Sequence, residues 1–372
     1  MSKLGVHVSA GNRRGFGDFL KKCADAGSPV AAVQSVGQNI WDDVQRYSPD
    51  TAAGPCTFVC FRTQTNAAGK SIGDAPQAIY RGDPVVEAQN WMEQIMPVWR
   101  INRAHAYAPI NEQDGGPASD MDWLNAFLLR CIHIAEREGF TIAGPNSSTG
   151  NPRDDSLVTR IVNLFFAHRV PVLAERLNLS VTKSRASAAA LGVITPGSAE
   201  DRWQRLLPAL QAMKAGHHIL TLHQYSLDRG TLMASAPYLA LRHRRDIAFL
   251  SQYNAVPKIL INEANQGVGG VPKNSAQWLA DLKAYDAELM RDKGVIAACV
   301  YTLGGSENIV GALPALGTYI AATPTPIDPG DIGQTVRITL TGLEQFEHVV
   351  DPSWTSLKAV LTTAKDVNAR IE

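Results

Sequence analysis

Eight times along this chain a short apolar, β-rich run is followed by a longer run with helical spacing, and that alternation narrows the choice of fold more than any other feature. The β-rich runs cover residues 4–9, 30–35, 56–62, 104–111, 140–144, 218–225, 258–262 and 295–303. The intervening runs, 15–26, 40–46, 83–100, 120–138, 203–215, 238–253, 275–293 and 313–322, read as helices. Asp83-Pro84 supplies a capping side chain and a first-turn proline. Gly27, Gly139, Gly216 and Gly294 supply helix stops. Strands that are apolar on both faces belong to parallel sheets covered by helices.

Eight strand-helix repeats point to an α/β fold of the (β/α)8 TIM barrel type rather than an open doubly wound sheet. The first strand also lacks the GxGxxG of a dinucleotide-binding fold. At 372 residues the chain is long for one domain, yet a barrel with additions absorbs it. Residues 1–322 are assigned to the barrel. About 153–200 form an insertion after strand five, and 323–372 form a C-terminal extension after the hinge Thr323-Pro324-Thr325-Pro326. Within the insertion, 157–172 is too apolar to stand free in water. It is expected to cover the barrel mouth or a neighbouring copy. Residues 335–341 read as a strand and 354–371 as a helix, packing on the barrel or making an oligomer contact.

Lys plus Arg and Asp plus Glu each number 35, so no net charge favours nucleic acid as a partner. No run of about 18 apolar residues is present, so no membrane partner is expected. The N-terminus lacks a signal-peptide core, which makes the cytoplasm the expected compartment. Cys23, Cys56, Cys60, Cys131 and Cys299 form no CxxC pair and read as buried thiols. Gly69-Lys70-Ser71 lacks the upstream glycine of a phosphate loop, because Gln64 stands there. With no HExxH and no GxSxG, neither a metal nor a serine nucleophile is expected, and no cofactor is called for.

Barrel enzymes place their chemistry at the carboxyl ends of the strands. Two glutamates preceded by asparagine fall there: Glu112 after strand four, in AHAYAPINEQDGG, and Glu263 after strand seven, in PKILINEANQGVGG. Facing carboxylates suit glycoside hydrolysis, in which one carboxyl protonates the leaving oxygen and the other attacks or stabilises the anomeric carbon. Strand six ends in His223-Gln224-Tyr225, strand three in Arg62 and strand eight in Tyr301. His7 is read as an interior or rim residue. Trp41, after strand two, is the candidate sugar platform.

This arrangement resembles the retaining clan A glycoside hydrolases, the cellulase- and xylanase-like barrels, over about residues 4–322. The resemblance implies a double displacement, with Glu263 as nucleophile and Glu112 as acid/base. It also implies that Asn111 holds the sugar 2-hydroxyl, that Tyr225 hydrogen-bonds the nucleophile and that Arg62 keeps it ionised, with His223 beside them. The tryptophan such barrels carry after strand eight is missing from YTLGGSENIVG, where Tyr301 stands instead. The alternative is a non-catalytic barrel that binds glycan or serves as a structural subunit.

Overall fold

The computed structural model describes residues 1–9, 13–113, 116–151, 194, 197–226, 230–236, 238–267, 275–304 and 309–323, together with the backbone of 338–341 and 368–371. Residues 2–323 form one compact unit. Its strands are β1 (Leu4–Val8), β2 (Ala32–Val36), β3 (Phe58–Arg62), β4 (Ala106–Ala108), β5 (Ala143–Ser147), β6 (Ile219–Tyr225), β7 (Lys258–Asn265) and β8 (Val295–Leu303). All pairings are parallel, in the order β4-β3-β2-β1-β8-β7-β6-β5. A parallel bridge between Tyr107 and Ile142 joins the two ends of this sheet. The unit is therefore a (β/α)8 barrel.

The helices among the described residues are α1 (Phe16–Asp25), α2 (Trp41–Tyr47), α3 (Pro84–Ile101), α4 (Ala118–Arg137), α5 (Ala199–Ala215), α6 (His243–Leu250), α7 (Ser275–Leu289) and α8 (Leu313–Ala322). Each buries one stripe. On α3, Ala88, Trp91, Met92, Ile95, Met96 and Trp99 recur at helical spacing and face the sheet. Its start is fixed as the sequence suggests: Asp83 Oδ1 accepts from the amides of Val85 and Val86, a cap worth about 1 kcal/mol.

The barrel interior is built from small residues. Ala32, Cys60, Ala106, Ala108, Ala143, Ala297 and Cys299 cluster with Ile219 and Leu260, apart from the larger core between strands and helices. Bulky branched side chains usually fill this space. At Gly5 the wall leaves no room for a side chain, since a Cβ there would lie 2.1 Å from the carbonyl oxygen of Ala32. Cys23, Cys60, Cys131 and Cys299 are buried, whereas Cys56 is only half-buried.

Several boundaries differ from the sequence reading. β5 begins three residues later than expected, because Phe140 continues the turn that ends α4 and packs edge-on against Trp99 and Tyr107. The helix expected over 238–253 is confined to α6 and a following 3-10 turn, Ser251–Tyr253. The left-handed Leu241, at φ 56°, interrupts it upstream. β7 runs on to Asn265, so Glu263 lies within a strand rather than after one.

Nearly all of the expected insertion, 152–193, lies outside the described residues, as does most of the C-terminal extension. The second unit contains the antiparallel pair β9 (Ile338–Thr341) and β10 (Asn368–Ile371), in register from Ile338 opposite Ile371 to Thr341 opposite Asn368. The expected helix over 354–371 is thus corrected at its end. Residues 368–371 are a strand, their backbone groups taken up by the ladder with β9.

Candidate active site

Three strands carry an extra residue at the same end of the barrel. Between β6 and β7 the pairing passes from Leu222 opposite Ile261 to His223 opposite Glu263, so β7 holds one residue more than its neighbour. The pairing of β7 with β8 shifts over the same stretch. A strand ordinarily turns successive side chains to opposite faces. The bulge lifts that restriction here, and both Asn262 and Glu263 reach the barrel axis. β8 likewise has an extra residue against β1 between Val300 and Leu303. As a result Thr302 Oγ1 lies 2.8 Å from His7 Nδ1 while the Tyr301 ring packs 4.7 Å from the His7 ring. The third bulge, in β5, holds Pro145 and Asn146.

Glu263 is the centre of this end. Its side chain is 8% exposed and is held by four residues from three strands, β1, β3 and β6. Arg62 Nη1 donates to Oε1 at 3.3 Å, and Tyr225 Oη donates to Oε2 at 2.8 Å. His7 Nε2 lies 3.5 Å from Oε1, and His223 Nδ1 lies 3.4 Å from Oε2. Burial pushes the Glu263 pKa up, but His223, His7 and Arg62 together outweigh it and hold the carboxyl well below the usual carboxylate range. Burial, and then the neighbouring Glu263 charge, push the Tyr225 phenol well above its ordinary value, so it remains a donor. Burial also lowers the His7 pKa, against the raising effect of Glu263.

Glu112 sits differently. Its side chain is 46% exposed, and its backbone is left-handed, at φ 53°. The strand that precedes it is three residues long, so Glu112 lies four residues past the end of β4. His223 Nδ1 is 2.9 Å from Glu112 Oε1 and also within reach of Glu263, so one ring nitrogen touches both carboxylates. The separation of those two oxygens therefore cannot exceed the sum of the two contact lengths. The other ring nitrogen, Nε2, meets Asn262 Nδ2 at 3.4 Å.

The structure brings Glu112, Glu263, His223, Tyr225, Arg62 and Tyr301 to one mouth. The Tyr301 ring lies edge-on to Tyr225, 5.8 Å away, and its carbonyl accepts from Asn265 Nδ2. Asn111 is buried beside Glu112. Its amide N–H donates to the Asp74 carbonyl and its Oδ1 has no hydrogen-bond partner among the described residues.

Trp41 is not part of this group. It is nearly buried at the start of α2, its ring against His105 and beneath the Arg103 guanidinium. Those residues lead into β4, at the end of the barrel opposite the carboxylates. Sequence reasoning undervalued His7 and passed over Asn262. The usable signal for His7 was its position two residues after Gly5, on the inward face of β1 and at the carboxyl end.

Among the described residues no group of three or more His, Cys, Asp and Glu could hold a metal ion, and no helix is long and apolar enough to cross a membrane.

No protein-family model matches the chain, and no curated protein does. Among solved structures, the chain is similar to a β-glucuronidase from Ruminococcus gnavus, with 6% identity over 87% of this chain and 51% of that one and a TM-score of 0.45. It is also similar to a β-mannanase from Streptomyces thermolilacinus, with 12% identity, coverage of 82% and 81% and a TM-score of 0.36. A rice β-glucosidase matches with 8% identity, coverage of 81% and 89% and a TM-score of 0.40. The chain spans about half the length of the glucuronidases it matches. Likenesses this loose carry no functional argument, which rests on the site itself.

Proposed function

We propose that this barrel is a retaining glycoside hydrolase, with Glu263 as nucleophile and Glu112 as acid/base. The observation that carries the reading is His223 Nδ1, in contact with both carboxylates at 2.9 and 3.4 Å. Those contacts place one oxygen of each carboxylate no farther apart than the sum of the two lengths, which is compatible with the roughly 5–5.5 Å carboxyl spacing of direct attack.

The environments divide the roles. Glu263 is buried beside the Arg62 guanidinium, two histidines and a phenol donor, which favours the ionised form a nucleophile requires. Glu112 is half-exposed at the mouth, where it can exchange protons with solvent. In the first step a Glu263 oxygen forms a bond to the anomeric carbon while the bond to the leaving oxygen breaks and Glu112 delivers its proton to that oxygen. In the second, Glu112 takes a proton from water as the water oxygen attacks the same carbon and releases Glu263. Arg62, His7 and Tyr225 hold the Glu263 carboxylate in place. The half-exposed Tyr301 ring beside Tyr225 offers the face on which a sugar can stack, and Asn111, whose Oδ1 has no hydrogen-bond partner among the described residues, lies next to the acid/base.

A panel of aryl glycosides with the purified protein tests this reading. Hydrolysis of at least one glycoside, abolished in Glu263→Gln with the circular dichroism spectrum unchanged, supports it. Unchanged turnover in that variant overturns the nucleophile assignment.

A further inference from the structure

β4 ends at Ala108, yet Glu112 needs a fixed position four residues later. Beyond Tyr107 no ladder joins β4 to β5. Asn146, in the β5 bulge, takes over that task. Its side-chain Nδ2 donates to the Ile110 carbonyl at 2.6 Å, and its own carbonyl accepts from the Glu112 amide at 3.0 Å. In a parallel ladder one residue bonds in this way to two residues, two apart, on the next strand, using its backbone N–H and C=O. At Asn146 the backbone N–H is engaged elsewhere, donating to Thr221 Oγ1 on β6 at 2.8 Å, and the side-chain amide replaces it. The residue is fully buried and left-handed, at φ 58°, a conformation asparagine tolerates better than most residues. The amide can face only one way, because a flip would set its Oδ1 against the Ile110 carbonyl oxygen.

We propose that Asn146 is the positioning residue for the acid/base: it rebuilds the missing β4–β5 ladder from its side chain and thereby fixes the Glu112 backbone at the mouth. This rests on the reading of Glu112 as acid/base. Asn146 touches no reacting atom and acts only through Glu112.

The test uses Asn146→Gly, which keeps the left-handed backbone and deletes only the side-chain donor, and Asn146→Asp, which keeps the shape but cannot donate to Ile110. Wild type, both variants and Glu112→Gln are compared on two glycosides of one sugar. One has an alkyl leaving group that needs protonation, and the other has 2,4-dinitrophenolate, which does not. A displaced acid costs up to about a hundredfold in kcat. The expected pattern is read in kcat/KM, which reports the first step alone and so leaves out the water activation that Glu112 performs in the second: a drop of tenfold or more on the alkyl glycoside, with less than threefold change on the dinitrophenyl glycoside, as in Glu112→Gln. An equal loss on both substrates, or no loss on either, overturns the proposal. If the wild type cleaves neither glycoside, the hydrolase reading fails, and amide exchange across residues 109–113 decides the structural half. Faster exchange in both variants supports Asn146 as the fixing residue, and unchanged exchange overturns it.

Discussion

The Tyr225 hydroxyl donates to Glu263 Oε2 at 2.8 Å while Arg62 holds the opposite oxygen at 3.3 Å, so the carboxylate is gripped at both ends by residues from two different strands. Hydrogen bonds to a charged group contribute about 1.5–3 kcal/mol. Tyr225→Phe should therefore lower kcat by roughly tenfold to a hundredfold, with a smaller change in KM and an unchanged fold. Steady-state kinetics on the best aryl glycoside check this. A variant with wild-type kcat would show that the phenol does not support the nucleophile.

The depressed pKa of Glu263 makes a statement about stability. A carboxyl that ionises more readily in the folded than in the unfolded chain stabilises the fold above its unfolded pKa of about 4.3. That contribution is lost as pH falls through the folded value. Burial opposes ionisation here, but His223, His7 and Arg62 overcome it. Glu263→Gln should therefore melt below the wild type at pH 7, where it also takes from the buried Arg62 the nearer of its two carboxylate partners, leaving Asp74 at 3.8 Å. The difference should narrow steadily as pH falls below about 5. A difference that stays constant across thermal melts in that range would mean that the ionised form gains nothing from its surroundings.

The small-residue interior makes a separate prediction, independent of the chemistry. A Cβ at Gly5 would meet the Ala32 carbonyl oxygen at 2.1 Å, and backbone cannot swing aside as a flexible side chain can. Gly5→Ala should destabilise the barrel by about 1–3 kcal/mol or more, measured by denaturant unfolding. Ala32→Gly in the same protein should not relieve it, because the clash is with backbone.

The barrel was legible because its strands are apolar on both faces and some of its helices are bounded by local signals such as the Asp83 cap and the Gly139 stop, which survive without neighbours. The ends of β4, β5 and β7 were not. A bulge is a mismatch between two strands, and no single segment shows it. Glu263 was found by its type and place, but its inward direction depends on the extra residue in β7 opposite β6 and β8. His7 looked bland because its partner, Glu263, lies 256 positions away in sequence and meets it only when the barrel closes. Trp41 was misjudged for the opposite reason. An aromatic ring soon after a strand resembles a platform, yet its ring found His105 and Arg103 at the far end. Asn146 carries no signal within its own segment, since its role lies in bonds to Ile110 and Glu112 after β4 and to Thr221 on β6.

The central claim is that Glu263 becomes covalently bonded to the sugar. The most direct measurement is the intact mass of the protein after incubation with a 2,4-dinitrophenyl 2-deoxy-2-fluoro glycoside of whichever sugar it cleaves, followed by peptide mapping. The account predicts a mass increase of one fluorosugar, located on Glu263 and absent in Glu263→Gln. An unmodified protein that nonetheless turns over the parent glycoside with inversion of the anomeric centre, or an adduct located on another residue, would contradict it.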